Sequence, residues 1–203
     1  MNHVDESLTP LGFLGRVLVL MVPSFLIWAI FSQSIGAMGV VLGDWVLPML
    51  WPDAIDSMRL NGTEAILISV WGEAGGKLLP LSQSDDALAV IADTRVVSYS
   101  LPFFWSLHFA LGSGRAAFLW IGTVLLFLLM SVGIAAIQLK NLVVTVMSAD
   151  PVLAAWVLPS LDVVAMAYQF SILIVPTVAP VMIWIAQNRE HPLLKGFVTK
   201  TNG

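Results

Sequence analysis

Apolar residues are gathered into long runs that are separated by one polar interval. The first run covers residues 11–31 and is interrupted only by Arg16, and a softer apolar stretch follows it as far as Trp51. About 20 apolar residues suffice to cross the roughly 30 Å hydrocarbon core of a bilayer. The pattern predicts a first transmembrane helix, with Arg16 near enough to its start to reach the headgroups, and a Gly-rich helical extension after it.

Three more apolar runs follow the polar interval and cover residues 96–111, 116–139 and 163–186. With the first run they predict a mainly α, polytopic membrane protein of about four transmembrane helices. Residues 140–162 are intermediate in character, and Asp150 before Pro151 has the pattern of a helix N-cap. We expect short interfacial helices in this segment.

The polar interval, residues 52–95, carries the signals of a small antiparallel sheet. Asn61-Gly62 is a hairpin turn sequence, and β-forming residues dominate 64–71, 87–92 and 94–99. Between positions 44 and 95 the chain holds eight acidic and three basic residues, so the insertion is acidic. A sheet this small is expected to need support from other parts of the chain.

These segments divide the chain into four parts. They are a tail with the first helix and its extension (1–51), the insertion (52–95), three further helices with the interfacial segment (96–187), and a basic tail (188–203). The last part contains Arg189, Lys195 and Lys200 against one acid, Glu190. Because short cytoplasmic segments are enriched in basic residues, we expect both termini in the cytoplasm and the insertion outside it.

Composition agrees with a lipid environment and excludes several functions. Hydrophobic residues make up 58% of the chain and charged residues 11%, against about 25% charged in soluble domains. The net charge of −4 argues against a nucleic-acid partner. There is no cysteine, and no nucleophile–base set, metal-ligand spacing or phosphate loop stands out. The sequence therefore predicts a protein that is not an enzyme and has no cofactor.

Gly36, Gly39 and Gly43 are candidate partner-binding residues. Their spacing of three and four places them on one helical face, which would let another backbone approach closely. The same stretch can also be a bent extension of the first helix, or an interfacial segment with Trp45 and Trp51 at the headgroups.

His108 is the ionisable residue within the second predicted span. An ionisable group at membrane depth is costly and is therefore a functional candidate, here as an axial ligand for a haem or chlorin, or as a proton relay. The alternative is a histidine near a helix end that forms a local hydrogen bond.

The last apolar run contains Gln169, Pro176 and Pro180, a second group of candidate partner-binding residues. Each proline removes a backbone donor and frees a carbonyl. Broken helices of this kind build substrate sites in transporters. They also occur as simple kinks in which neighbouring helices or Ser and Thr hydroxyls satisfy the carbonyls.

Several stretches resemble the exosortase H-associated membrane proteins. The resemblance lies in the order of a first span, a β-rich region and later spans. It also lies in short motifs: Tyr99-Ser100-Leu101-Pro102-Phe103-Phe104, Tyr168-Gln169, Pro176-Thr177-Val178-Ala179-Pro180, Trp184 and Asn188-Arg189.

The resemblance implies a protein of the bacterial inner membrane that is encoded beside an exosortase, a membrane cysteine transpeptidase or protease that processes sorting signals. A chain without cysteine cannot supply that thiolate chemistry. Our leading hypothesis is a non-catalytic accessory subunit with an integral membrane partner, such as an exosortase. The alternatives are a small transporter or channel that uses the Pro176/Pro180 break, and a subunit that holds a cofactor through His108.

Overall fold

A computed structural model describes residues 9–75, 77–84, 86–112 and 115–194. The first eight residues and most of the basic tail, with Lys195 and Lys200, lie outside these ranges. The helices are α1 Pro10–Leu50, α2 Arg95–Ser98, α3 Ser100–Leu111, α4 Ala116–Ala149, α5 Pro151–Val157, α6 Leu161–Leu173 and α7 Val178–Asn188. The strands are β1 Ile55–Asn61, β2 Glu64–Ala74, β3 Lys77–Pro80 and β4 Ala87–Asp93.

Two helices are much longer than a bilayer requires. α1 has 41 residues and α4 has 34, so they extend about 60 Å and about 50 Å. The side chain of Thr9 caps α1 by accepting from Gly12 N, and Pro10 stands at the first turn, where its missing donor is harmless. α1 includes the predicted extension without a break. α4 includes residues 140–149, so the prediction of an interfacial helix in that part was wrong.

Only some of the predicted spans are present as continuous helices in the described residues. By length and apolar character α1 and α4 can each cross a membrane, and α5 with α6, bent by 71°, could form a third span. α3 has 12 residues, about 18 Å, and ends where Gly112 adopts a positive φ of 66°. The run 163–186 is divided between α6 and α7. Four transmembrane helices are therefore not confirmed.

The sheet has β2 at its centre. The Asn61-Gly62 hairpin is confirmed, since Gly62 has a φ of 61° and β1 pairs with β2 on either side of this turn. Gly72 pairs with both Leu79 of β3 and Ala87 of β4, so β3 and β4 lie on opposite sides of β2. β1 shares the β3 side, because residues 64–68 of β2 also pair with β4.

One predicted strand is a helix. Residues 94–99 contain the whole of α2, because hydrogen bonds turn the chain where β4 ends. Thr94 donates to Thr63 O from both its backbone N (3.0 Å) and its hydroxyl (2.9 Å), and Asp93 Oδ1 accepts from Arg95 N (3.0 Å). Val97, fully buried, then packs toward Gly133 of α4. Neither β1 nor β3 was predicted as a strand.

The short helix after α4 begins as predicted. Asp150 Oδ1 accepts from Val152 N at 3.1 Å and from Leu153 N at 2.9 Å, and Pro151 is the first helical residue. Trp156 is largely exposed on this helix, which suits a position at the membrane–water boundary.

The sheet is supported on its buried face by the two long helices. Ile55, Leu67 and Ala65 are fully or almost fully buried there, as are Leu142 and Val146 of α4. The expectation that so small a sheet needs support is met by α1 and α4.

Candidate partner-binding surface

The three candidate glycines lie on the inner face of α1. A methyl group at Gly36 would stand 2.5 Å from Thr94 Oγ1, and one at Gly39 would stand 2.7 Å from Ile134 Cδ1. One at Gly43 would stand 2.9 Å from Met58 Cε. The close approach is present, and the elements that approach belong to the same chain. A partner of this chain would therefore need another face of α1.

Side chains of both long helices hold the sheet. Asp44 Oδ1 on α1 accepts from Met58 N of β1 at 2.6 Å. On the other side, Asn141 Nδ2 of α4 donates to Ile91 O of β4 at 3.0 Å. β1 and β4 each pair with β2 through one edge, so these side chains engage backbone groups of strands that have no further strand beyond them in the described residues. The second half of α1 is thereby fixed beside the sheet.

The opposite side of this half of α1 presents an apolar row, which we call the outer face. Its residues recur at helical spacing and are exposed in the chain alone: Met38, Val41, Leu42, Trp45 and Met49. Trp45 is 72% exposed and Met49 74%. Burial, not polarity, distinguishes the two sides of this half of α1, since Ile35, Val40 and Leu47 are as apolar as the outer face but are buried.

A groove of about 410 Å³ continues the outer face toward α4. Its lining is Ala37, Met38, Val41, Leu42, Phe127 and Ser131. The hydroxyl of Ser131 donates to Phe127 O at 2.8 Å and offers little to a ligand. The groove is therefore suited to an apolar occupant.

The length of α1 means that, where it crosses a bilayer, part of it lies outside the hydrocarbon core. To fit wholly inside a core of about 30 Å, α1 would need a tilt of about 60°, whereas membrane helices tilt by up to about 40°. The adjacent sheet also exposes charges, such as Asp56 and Arg59, which require water. The outer face therefore reaches headgroups or water and is not covered by lipid tails along its whole length.

One ion pair lies where the sheet joins α2. Arg95 Nη2 is 2.7 Å from Asp93 Oδ2, and both side chains are partly exposed. The hydrogen bonds from the Arg95 side chain lower the pKa of the Asp93 carboxyl from its ordinary value of 3.8. The pair stabilises the turn into α2.

His108 is buried inside the helices. Its ring lies between those of Phe104 and Phe109, with centroids 6.2 and 5.7 Å away. Nδ1 has no hydrogen-bond partner among the described residues. The structure thus places an imidazole with an unused nitrogen in an aromatic setting, and ligation of a cofactor by His108 stays a prediction.

The proline-containing segment separates α6 from α7, and two carbonyls beside the break find donors. Thr177 Oγ1 donates to Leu173 O at 2.6 Å, while Ile174 O accepts from Val178 N at 2.8 Å. Pro176 and Pro180 are buried. Gln169, by contrast, is exposed on α6, so the structure does not bring it together with the prolines. Its neighbours on the exposed side are Met166, Phe170 and Leu173.

Sequence reasoning missed the outer face because every residue in it also fits a lipid-facing helix. The available signal was Trp45 with Met49 one turn later, opposite Gly36, Gly39 and Gly43. If the glycine face had been interpreted as a contact within the chain, the opposite side of α1 would have been predicted as the free surface.

The apolar long helices identify the chain as a membrane protein that carries a small helix-supported sheet. A family model described as exosortase H-associated membrane protein matches residues 8–191, and the chain belongs to that family. The resemblance found in the sequence is thereby confirmed. No curated protein and no solved structure matches the chain.

Proposed function

We propose that this protein is a non-catalytic accessory subunit of a membrane assembly that contains an exosortase, and that the outer face of α1 binds this partner. The family name supplies the association with an exosortase. The observation that carries the proposal is the apolar row from Met38 to Met49, which lies on the half of α1 beside the sheet, in a helix longer than a bilayer core.

An apolar row of this kind has the properties of a helix docking site. Contiguous exposed apolar surface outside lipid tails is unfavourable and commonly marks a protein contact. Trp and Met are enriched in interfaces, and a helix that presents residues at i, i+3, i+4 and i+7 fits a groove or another helix. Gln169 on α6 adds a polar group that can hydrogen-bond to a helix in a membrane.

The absence of cysteine supports a role beside the enzyme and not as the enzyme. A transpeptidase of the exosortase type needs a thiolate, and this sequence has none. The chain can instead contribute the fixed geometry of the sheet, which Asp44 and Asn141 hold against the two long helices.

The proposal includes an orientation in the bacterial inner membrane. Phe13 stacks on Trp184 at 5.0 Å, and Gln187 Nε2 donates to Phe118 O at 3.0 Å, so α7 ends beside the first turns of α1 and α4. The sheet lies by the other ends of the long helices. With basic residues beyond α7, the termini are cytoplasmic and the sheet is outside, and α3 and α6–α7 complete four crossings.

Cysteine labelling tests this orientation in a background without thiols. A cysteine at Gln83 should react with a membrane-impermeant maleimide in intact spheroplasts, and one at Arg189 should react only after lysis. The reversed pattern would contradict the orientation and leave the docking proposal to its own test.

A pull-down tests the docking proposal. The affinity-tagged chain is recovered from membranes of its own host cell, which contain the exosortase. Trp45→Glu places a charge in the apolar interface and should lower the recovered exosortase about tenfold. Trp156→Glu is the matched control, because Trp156 is 84% exposed on α5 and far along the chain from the outer face. Recovery that is equal for both variants, or absent for the wild-type chain, would overturn the proposal.

A further inference from the structure

A polar pocket of about 250 Å³ lies at the end of the molecule that is remote from the sheet. Its lining is Arg115, Gln187, Asn188, Glu190, His191 and Pro192. The pocket forms because the chain turns back after α7, where His191 N donates to Asn188 O at 2.8 Å, and faces the first turn of α4. At about 30 Å³ per water it has room for about eight waters.

The pocket contains opposite charges that do not neutralise each other. Arg115 and Glu190 both line it, and no ion pair joins them in the part of the chain that the structure describes. The guanidinium of Arg115 lies 5.2 Å from the centre of the Phe118 ring, which fixes its position. Among the described residues no side chain caps the N-terminus of α4, so its partial positive charge adds to that of Arg115.

Gln187 contributes an acceptor that lacks a donor. Its Nε2 donates to Phe118 O at 3.0 Å, and this bond fixes the orientation of the amide. The other amide atom, Oε1, is buried and has no hydrogen-bond partner in the described residues. A buried acceptor without a donor is unfavourable, so a ligand that brings an N–H group would be stabilised there.

His191 contributes a hydrogen-bond donor that can act together with Arg115. Its Nδ1 accepts from Leu193 N at 3.2 Å, which assigns the ring proton to Nε2. The pocket therefore offers Arg115, the His191 ring N–H and the first turn of α4 to an anion, and offers Glu190 with Gln187 Oε1 to a cation.

We propose that this pocket binds a phosphoethanolamine headgroup, with the phosphate at Arg115 and His191 and the ammonium at Glu190 and Gln187. A primary ammonium supplies both the positive charge and the N–H groups. A choline headgroup has the charge without N–H groups, and a glycerol headgroup lacks the charge. The exposed Trp120, five residues beyond Arg115, is the kind of residue that lies at headgroup level. The inference does not depend on the exosortase partner.

Native mass spectrometry of the purified full chain in detergent tests this inference. The probes are phosphatidylethanolamine, phosphatidylcholine and phosphatidylglycerol with the same acyl chains, and soluble O-phosphoethanolamine as competitor. We expect the ethanolamine lipid to bind about tenfold more tightly than the other two, a preference expected from charge-assisted hydrogen bonds. Competition by the soluble compound would assign recognition to the headgroup alone, and its failure would assign it to headgroup and acyl chains together.

Variants separate the pocket from other lipid contacts. Glu190→Gln removes a negative charge but keeps an acceptor, so it should remove the preference for the ethanolamine over the glycerol headgroup, and Arg115→Gln should weaken all three lipids. Arg189→Gln is the matched charge control, since Arg189 does not line the pocket. Equal binding of the choline and ethanolamine lipids by the wild-type chain would overturn the inference. A Glu190→Gln variant that keeps the wild-type preference for the ethanolamine over the glycerol lipid would overturn it as well, and both measurements stand even if Arg115→Gln fails to fold.

Discussion

Gln138 Nε2 donates to Ala65 O at 2.6 Å and so joins α4 to the central strand of the sheet. Gln138 is fully buried, and its Oε1 has no partner among the described residues. An amide inside a helix as apolar as α4 is costly unless it is bonded, so this contact explains why a polar residue stands at that position. It also links a membrane-crossing helix directly to the backbone of a sheet that must meet water.

Gln138→Leu should destabilise the isolated chain by about 1–3 kcal/mol, because the buried bond to Ala65 O is lost. The measurement is unfolding of the purified chain in detergent, followed by tryptophan fluorescence during denaturant titration. Gln169→Leu is the matched control, since the same change is made at an exposed position on α6 and should leave stability unchanged. Equal effects of the two substitutions would contradict the assigned role of Gln138.

Gly122→Ala should destabilise the chain, because a methyl group there would overlap the fully buried ring of Phe104. We expect a cost of about 1–3 kcal/mol, the usual range for overpacking. At Gly15 nothing lies within 4 Å of the added methyl, so Gly15→Ala should be neutral or stabilising by up to about 1 kcal/mol through helix propensity. Thermal unfolding of both variants in one detergent compares them, and a destabilised Gly15→Ala would contradict the inferred exposure of that face.

Thr177→Val should lower stability by about 1 kcal/mol, because Thr177 Oγ1 is the donor that the structure provides to Leu173 O at the break after α6. Thr145→Val is a strict control. Thr145 Oγ1 also donates four residues back, to Asn141 O at 2.8 Å, but within the continuous helix α4. There the carbonyl keeps its backbone donor. The denaturant midpoints of the two variants should therefore differ, and coincident midpoints would remove the special role of Thr177.

The Asp93–Arg95 pair should make a small part of the free energy of unfolding depend on pH. Since the folded carboxyl has a lowered pKa, the stabilisation is present at pH above 3.8 and is lost as the pH falls through the lower folded value. Arg95→Gln should therefore be less stable than the wild type at pH 7 and equal to it in strong acid. Arg59→Gln serves as control and should show no such convergence. A difference that persists in acid would assign the effect of Arg95 to packing.

The sequence was sufficient to predict the structure of segments in which a local pattern decides the conformation. Asn61-Gly62 predicts a turn because glycine tolerates the positive φ that this hairpin needs, and Asp150-Pro151 predicts a helix start because one side chain satisfies free amides. Residues 94–99 show the limit of local patterns. Their valines favour a strand, yet hydrogen bonds from Thr94 to Thr63 and the burial of Val97 select a helix.

The candidate partner-binding glycines show a second limit of prediction from sequence. The spacing of Gly36, Gly39 and Gly43 indicates close approach, but a helical period defines a face and not the identity of its neighbour. The chain fills that face itself, through Thr94, Ile134 and Met58. The length of α4 was not predicted, because residues 140–149 fit an interfacial helix as well as packing against a sheet, whereas the helical extension of α1 was predicted.

The hydrogen bonds from α4 to the sheet have a consequence for biosynthesis. All four strands leave the ribosome before Gln138 and Asn141 do, so the sheet cannot reach its final packing until α4 has been made and inserted. Until then the carbonyls of Ala65 and Ile91 lack the donors that α4 supplies, and we expect the unfinished sheet to be open to proteolysis. A chain that stops before α4 should therefore accumulate no folded sheet.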